Sequence, residues 1–189
     1  PHKLFENTDW HQTLTILYSF SKAYRMTGHR VGALLTSYEN LLEVEKVLDT
    51  FTVCPPQLGQ YAANWSLANL DSWKSDRRTE ILERAKHFSI KFEPLSAAGW
   101  SLRGCGAYFA FVDHPFKEGS ETLAPLILRD QGILLMPGTM FYPKYDLHGP
   151  RTFRIAFANI DKNKITTLLE RLKNLSYQRS DHKEYNEVK

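Results

Sequence analysis

The sequence predicts an α/β protein built in two pieces, and three observations carry that reading. Short β-branched and aromatic runs near the amino terminus are parted by a glycine-bearing loop, as buried strands are. A long stretch over 71–91 combines helical apolar spacing with one heavily charged face. Beyond it, strand-like and helix-like runs alternate again over a second span. Residues 1–75 therefore read as part of a larger α/β sheet, 76–92 as a connecting helix, 93–177 as a small α+β unit, and 178–189 as a polar, frayed tail.

Taken in order, 13–18 is apolar and β-branched enough for a buried strand, and 31–36 reads as a second. Between them lies Ser19-Phe20-Ser21-Lys22 and a loop holding Gly28. Residues 39–49 predict a helix whose broad apolar face carries Leu41, Leu42, Val44, Val47 and Leu48. Pro55-Pro56 stops it and can open the next helix, 57–69, because proline fits a first turn. Asp71 or Ser72 can cap the long helix, where Ile81, Leu82, Ala85 and Phe88 recur at helical spacing. Past Pro94 the expected elements are a strand over 106–112, a helix over 118–130, and short strands over 133–135 and 152–157. Asp161 then caps a last amphipathic helix bearing Ile165, Leu168, Leu169, Leu172 and Leu175.

Composition narrows the functions. At 189 residues, 42% hydrophobic and 24% charged, the chain can bury a real core. A net charge of +3 with interleaved signs offers no broad field for a polyphosphate backbone, so nucleic acid is not expected as a partner. Anionic small ligands remain open, since one or two placed arginines suffice for them. Cys54 and Cys105 form no metal-ligand pattern and read as buried thiols of a reduced compartment. No apolar run approaches the ~20 residues of a membrane span, and the start has no signal region, so a cytoplasmic location is expected. The chain opens on Pro1 without an initiator methionine, which points to a cut, processed or trimmed polypeptide.

Common phosphate and hydrolase motifs are absent. Gly104 and Gly106 begin a GxG, but Phe109 stands at the third glycine position. His87 and His114 read as structural or solvent-facing. The informative segment runs Ser19-Phe20-Ser21-Lys22-Ala23-Tyr24-Arg25-Met26-Thr27-Gly28-His29-Arg30-Val31-Gly32. A strand delivers two hydroxyls and a lysine to one sheet edge, and the returning chain brings Arg30. Hydroxyls plus a guanidinium fork suit a phosphate dianion. A lysine beside that phosphate can form a Schiff base with an aldehyde on the same ligand once burial and neighbouring cations lower its pKa. One ligand with both groups is pyridoxal 5'-phosphate (PLP).

That string resembles the cofactor-lysine signature of class I/II, fold type I aminotransferases. Gln60-Tyr61-Ala62-Ala63 is similar to the family's glutamine-x-alanine-alanine helix, and Gly106-Ala107-Tyr108-Phe109 to its glycine-alanine-aromatic strand. Pro137-Gly138 followed by Phe141 resembles its active-site loop, and Arg154 in Phe153-Arg154-Ile155-Ala156-Phe157-Ala158 its carboxylate-gripping arginine. The resemblance implies a three-layer αβα large domain, here partial, and a small α+β carboxyl-terminal domain. It implies Lys22 as cofactor lysine and general base, Ser19, Ser21 and Arg30 on the phosphate, and Arg154 on the substrate α-carboxylate. Arg25 and Arg151 are not expected to touch the ligands. Substrates would be an amino acid and a 2-oxo acid, and the assembly a homodimer. A decarboxylase or carbon–sulfur lyase of the same fold, or a non-catalytic fragment, are the alternatives. His29 replaces a common tryptophan and Tyr142 a common glycine, which bears on pocket shape. The family's aspartate-x-x-tyrosine segment is not matched by Asp9-Trp10-His11-Gln12, so weak PLP binding and little turnover are expected of this chain alone.

Overall fold

The computed structural model describes residues 3–179, which divide into two compact units at Asp76/Arg77. The first holds α1 (Trp10–Thr13), β1 (Ile16–Ser19), α2 (Phe20–Ala23), β2 (Gly32–Leu35), α3 (Tyr38–Phe51), α4 (Gln57–Asn69) and the start of α5 (Asp71–Ser96). β1 and β2 form an antiparallel ribbon with Ile16 opposite Leu35 and Ser19 opposite Gly32. A small core of Phe20, Tyr24, Met26, Val31 and Ala63 packs beneath it, joined by Tyr18, Leu70 and Trp73.

Two expectations change here. The strand expected from residue 13 starts at Ile16, because 10–13 close a helical turn. Among the described residues the sheet of this unit is a two-stranded ribbon. The apolar stripe of α3 stays in solvent, with no residue of that helix buried. A two-stranded ribbon is too narrow to cover three helices, so Leu17 is 78% exposed and Phe51 81%. Cys54 is also exposed, against the expected burial.

The second unit is α+β. Its strands β3 (Ser101–Gly106), β4 (Phe109–Asp113), β5 (Met136–Pro137) and β6 (Thr152–Ala156) form one antiparallel sheet in the order β3-β4-β6-β5. Helices α5, α6 (Ser120–Gln131) and α7 (Lys162–Lys173) supply Phe88, Phe92, Leu95, Leu123, Ile127, Ile165, Leu169 and Leu172 to a core shared with the sheet. Asp161 caps α7 as expected, its carboxylate accepting the Lys164 N–H at 2.8 Å. Asp71, by contrast, lies in the first turn of α5 and pairs with Lys74 at 2.6 Å. That helix runs past Lys91 to Ser96.

The strand expected over 106–112 is in fact two strands and a turn. Gly106 pairs with Phe109 across Ala107-Tyr108, and Ala107 takes a left-handed φ of 48°. Gly104 and Gly106 hid β3, since glycine carries no strand signal. The strand expected over 133–135 is absent, and pairing occurs at Met136 and Pro137. Two residues of the expected tail are tied down. The Gln178 carbonyl accepts from the Lys117 N–H at 2.9 Å, and the Arg179 guanidinium donates to the Ala98 carbonyl at 2.7 Å. Residues 180–189 lie outside the described residues.

His114 is buried in this unit. Its Nε2 lies 3.0 Å from the Pro150 carbonyl and its Nδ1 accepts from the Phe116 N–H at 3.3 Å, the pattern of a neutral ring protonated on Nε2. Burial chiefly, with the Arg151 charge adding, lowers its pKa from 6.5 to about 4. Between those values the unfolded chain takes up a proton that the folded chain refuses. Stability is therefore full above pH ~6.5 and falls toward pH ~4, by about 3 kcal/mol at most. Urea midpoints measured across that window check this, and His114→Gln, which cannot titrate, should flatten the slope; an equal slope in both proteins would refute it.

Candidate functional site

The first group of candidate residues sits where β1 runs into α2. Ser19 caps that short helix by position, but its side chain makes no capping hydrogen bond. Lys22 follows on α2 and is exposed, as are Ser19 and Arg30. The ribbon register explains why these groups share one end of the unit. Ser19 stands opposite Gly32, and Arg30 precedes Gly32 by one alternation on the returning chain. Lys22 lies on a short helix rather than at the end of the strand that the sequence suggested. Ser21 is placed differently: at 5% exposure it is turned into the unit.

The segment that returns Arg30 is held in an unusual conformation. Arg25 and Arg30 have φ values of 56° and 51°, left-handed geometry that costs a non-glycine residue about 1–2 kcal/mol. Backbone of this kind persists only where its surroundings impose it. The Arg30 guanidinium donates to the Thr27 carbonyl at 2.9 Å, which folds the side chain over its own turn. Gly59 in α4 completes the constraint. A Cβ there would lie 2.8 Å from the His29 carbonyl, so only glycine lets the helix reach the loop. The sequence reading passed over Gly59 and used the neighbouring Gln60-Tyr61-Ala62-Ala63 only as a family mark.

Arg154 belongs to the second unit. On β6, Phe153 and Ile155 face the core, so Arg154 projects from the opposite face of the sheet. Across the ladder it pairs with Phe111 on β4 and Met136 on β5. Its guanidinium carbon lies 4.2 Å from the Phe109 ring centroid and 4.5 Å from that of Phe141. The two rings hold the cation from both sides, each contact contributing about 0.5–1 kcal/mol. Phe111 packs edge-on against Phe141 with centroids 5.6 Å apart and steadies it. Nε of Arg154 is buried and has no hydrogen-bond partner. A buried unsatisfied donor is costly, and a planar anion meeting the guanidinium edge would satisfy it bidentately. This aromatic clamp was legible only as two separate motifs, Gly106-Ala107-Tyr108-Phe109 and Pro137-Gly138 with Phe141.

A tightly packed corner carries Phe141. A Cβ on Gly138 would meet the Gly149 carbonyl at 2.5 Å and Thr152 Cβ at 2.7 Å. Ser120 Oγ donates to the same Gly149 carbonyl at 3.1 Å, and Thr152 Oγ1 donates to the His148 carbonyl at 2.7 Å. The loop therefore rests against the strand that bears Arg154. Arg151 donates to the Phe116 carbonyl. Among the described residues, no group of His, Cys, Asp and Glu side chains gathers to hold a metal, and no helix is long and apolar enough to cross a membrane. Burial raises the pKa of the Cys105 thiol, which keeps it protonated and unreactive.

The profile of aminotransferases of class I and II matches residues 3–172. The chain belongs to that family. Among curated relatives, the (5-formylfuran-3-yl)methyl phosphate transaminase of Methanocaldococcus jannaschii is 28% identical over 163 residues, covering 84% of this chain and 40% of that protein. The aspartate aminotransferase of Thermotoga maritima is 29% identical over 160 residues, covering 81% of this chain and 37% of its own length. The structure superposes on an aminotransferase from Mycobacterium tuberculosis with a TM-score of 0.70 at 28% identity, over 84% of this chain and 40% of that one. The chain thus spans about two fifths of the length of these relatives. It is a mixed α/β portion of the fold type I aminotransferase structure, and the family is PLP-dependent.

Gly138→Ala should destabilise the second unit by about 1–3 kcal/mol, because backbone rather than a flexible side chain blocks the new methyl. Urea unfolding against the parent chain measures it, and an unchanged midpoint would show that the corner yields.

Proposed function

We propose that this chain carries the cofactor lysine and the carboxylate-binding arginine of a PLP-dependent aminotransferase that moves an amino group from an amino acid to a 2-oxo acid. The observation that supports the reading best is the ribbon register: Ser19 stands opposite Gly32, so the segments bearing Lys22 and Arg30 leave and enter the ribbon at the same end. These groups fit the cofactor's chemistry. Ser19 has a hydroxyl that does not cap its helix, Arg30 presents a guanidinium from a constrained turn, and Lys22 is an exposed amine on the next helical turn.

In this reading Ser19 and Arg30 hold the phosphate dianion, the guanidinium giving both charge and direction. Ser21, being buried, contributes by shaping the turn more than by contact. Lys22 Nζ is the attachment point for the cofactor aldehyde. PLP, when bound, supplies the electron sink that makes the substrate Cα–H acidic. Once the substrate amine has displaced it from the aldehyde, the freed Lys22 Nζ would be placed to take that proton and pass it on, which is general acid–base work by one amine. Arg154 binds the substrate α-carboxylate, with Phe109 and Phe141 holding its plane. Transfer to a 2-oxo acid reuses the same groups, since donor and acceptor both carry an α-carboxylate. The exposed apolar residues of α3 and α4 support a homodimer as the working form.

Incubation with PLP, borohydride reduction and peptide mapping test the proposal. Lys22 should carry the label in preference to the other lysines, Lys22→Arg should remove it, and Arg30→Gln should weaken it about tenfold through the lost phosphate contact. Label spread evenly over surface lysines, or absent from Lys22, would overturn the assignment.

A further inference from the structure

The outer edge of the second unit's sheet is splayed. β5 pairs with β6 only at Met136–Arg154 and Pro137–Phe153, although β6 continues to Ala156, paired on its other side by β4. Residues 132–135 belong to no strand. Gly132 closes α6 in left-handed geometry, φ 65°, and leads the chain away from β6. Ile133 and Leu135 are still buried while Leu134 between them is 76% exposed, a strand-like alternation without a ladder. The opening between this segment and β6 is a cavity of about 420 Å³, within the range of small-molecule sites.

α7 closes the opposite side. Lys164, Thr167, Leu168 and Arg171 lie three, four and seven residues apart, one stripe of a helix, and all line the cavity. Ile133, Leu134, Ile160 and Leu168 make its apolar part. Lys164 and Arg171 give it two positive charges, and no carboxylate lines it. Arg171 is oriented by donating to the Gln131 carbonyl at 3.1 Å, one of the last carbonyls of α6, where a cation is favoured. A monodentate anchor of this kind leaves the other edge of the guanidinium for a second acceptor.

We propose that this cavity binds a small amphipathic carboxylate, its aliphatic or aromatic tail between Leu134, Ile160 and Leu168 and its head group on Arg171 and Lys164. The site is independent of Lys22 and Arg154 and of the transamination reading. It neighbours the Phe109–Arg154–Phe141 clamp, since Ala156 lines the cavity and pairs with Phe109, but its charged and apolar groups come from α7 and from 133–134 and 160, none of which belongs to the clamp. Apolar walls favour a tail of several carbons, and the one-signed charge selects an anion over a neutral or cationic head.

Amide-resolved NMR of the full chain, titrated with octanoate, 3-phenylpropionate, octanol and acetate, tests it. Octanoate and 3-phenylpropionate should bind saturably with shifts centred on 132–134, 156–160 and 164–171, and octanol and acetate about tenfold more weakly or not at all. Lys164→Gln and Arg171→Gln should each weaken octanoate about five- to tenfold. Lys164→Gln makes no demand on the Gln131 contact, so its melting temperature should match the parent's and separate lost binding from lost folding. Octanol binding as well as octanoate, shifts centred instead on Phe109 and Phe141 or on α3 and α4, or affinity unaltered in Lys164→Gln, would each overturn the proposal.

Discussion

Side-chain alternation across the paired strands β4 and β6 decides most of the second unit. Ala110 and Val112 face the same side as Phe153 and Ile155, and those four fill the core. The same register sends Phe109, Phe111 and Arg154 to the other face. A slip of one residue would bury a guanidinium and expose four core positions, a cost of several kcal/mol at roughly 25 cal/mol per Å² of apolar surface. Core packing and the cationic face are therefore one specification. The binding chemistry follows from what holds the unit together.

How much of this was legible in the sequence depended on whether a feature was local. The helix over 57–69, bounded by Pro55-Pro56, and the Asp161 cap could be read because proline and a capping carboxylate act within one turn. The lysine string could be read because its chemistry is packed into consecutive residues. The hairpin at Ala107 could not, since two glycines masked β3 and a left-handed alanine gives no warning. β5 escaped because Ile133 and Leu135 have strand-like burial while the hydrogen bonds lie farther on. The clamp on Arg154 joins three residues distant in sequence, and single-sequence patterns carry no such pairing. The apolar face of α3 was legible, but periodicity says which face is apolar, not whether anything covers it.

The two units differ in how they use apolar surface. In the second, α5, α6 and α7 bury large side chains against a four-stranded sheet. In the first, a small core coexists with exposed Leu17, Tyr38, Phe51, Leu58 and Trp65. The family match runs across both units, and the relatives are more than twice as long as this chain.

Gly59 has a consequence for how the loop bearing Arg30 can vary. Because a helix backbone touches the His29 carbonyl with no side chain between them, the two segments meet as rigid surfaces. No rotamer change can absorb an added or deleted residue on either side. Length variation in the turn would have to be matched by a compensating shift of α4, so the spacing between Lys22 and Arg30 is protected by geometry outside both residues. Sequence drift in this neighbourhood should accordingly appear as exchange of side chains, never as insertion.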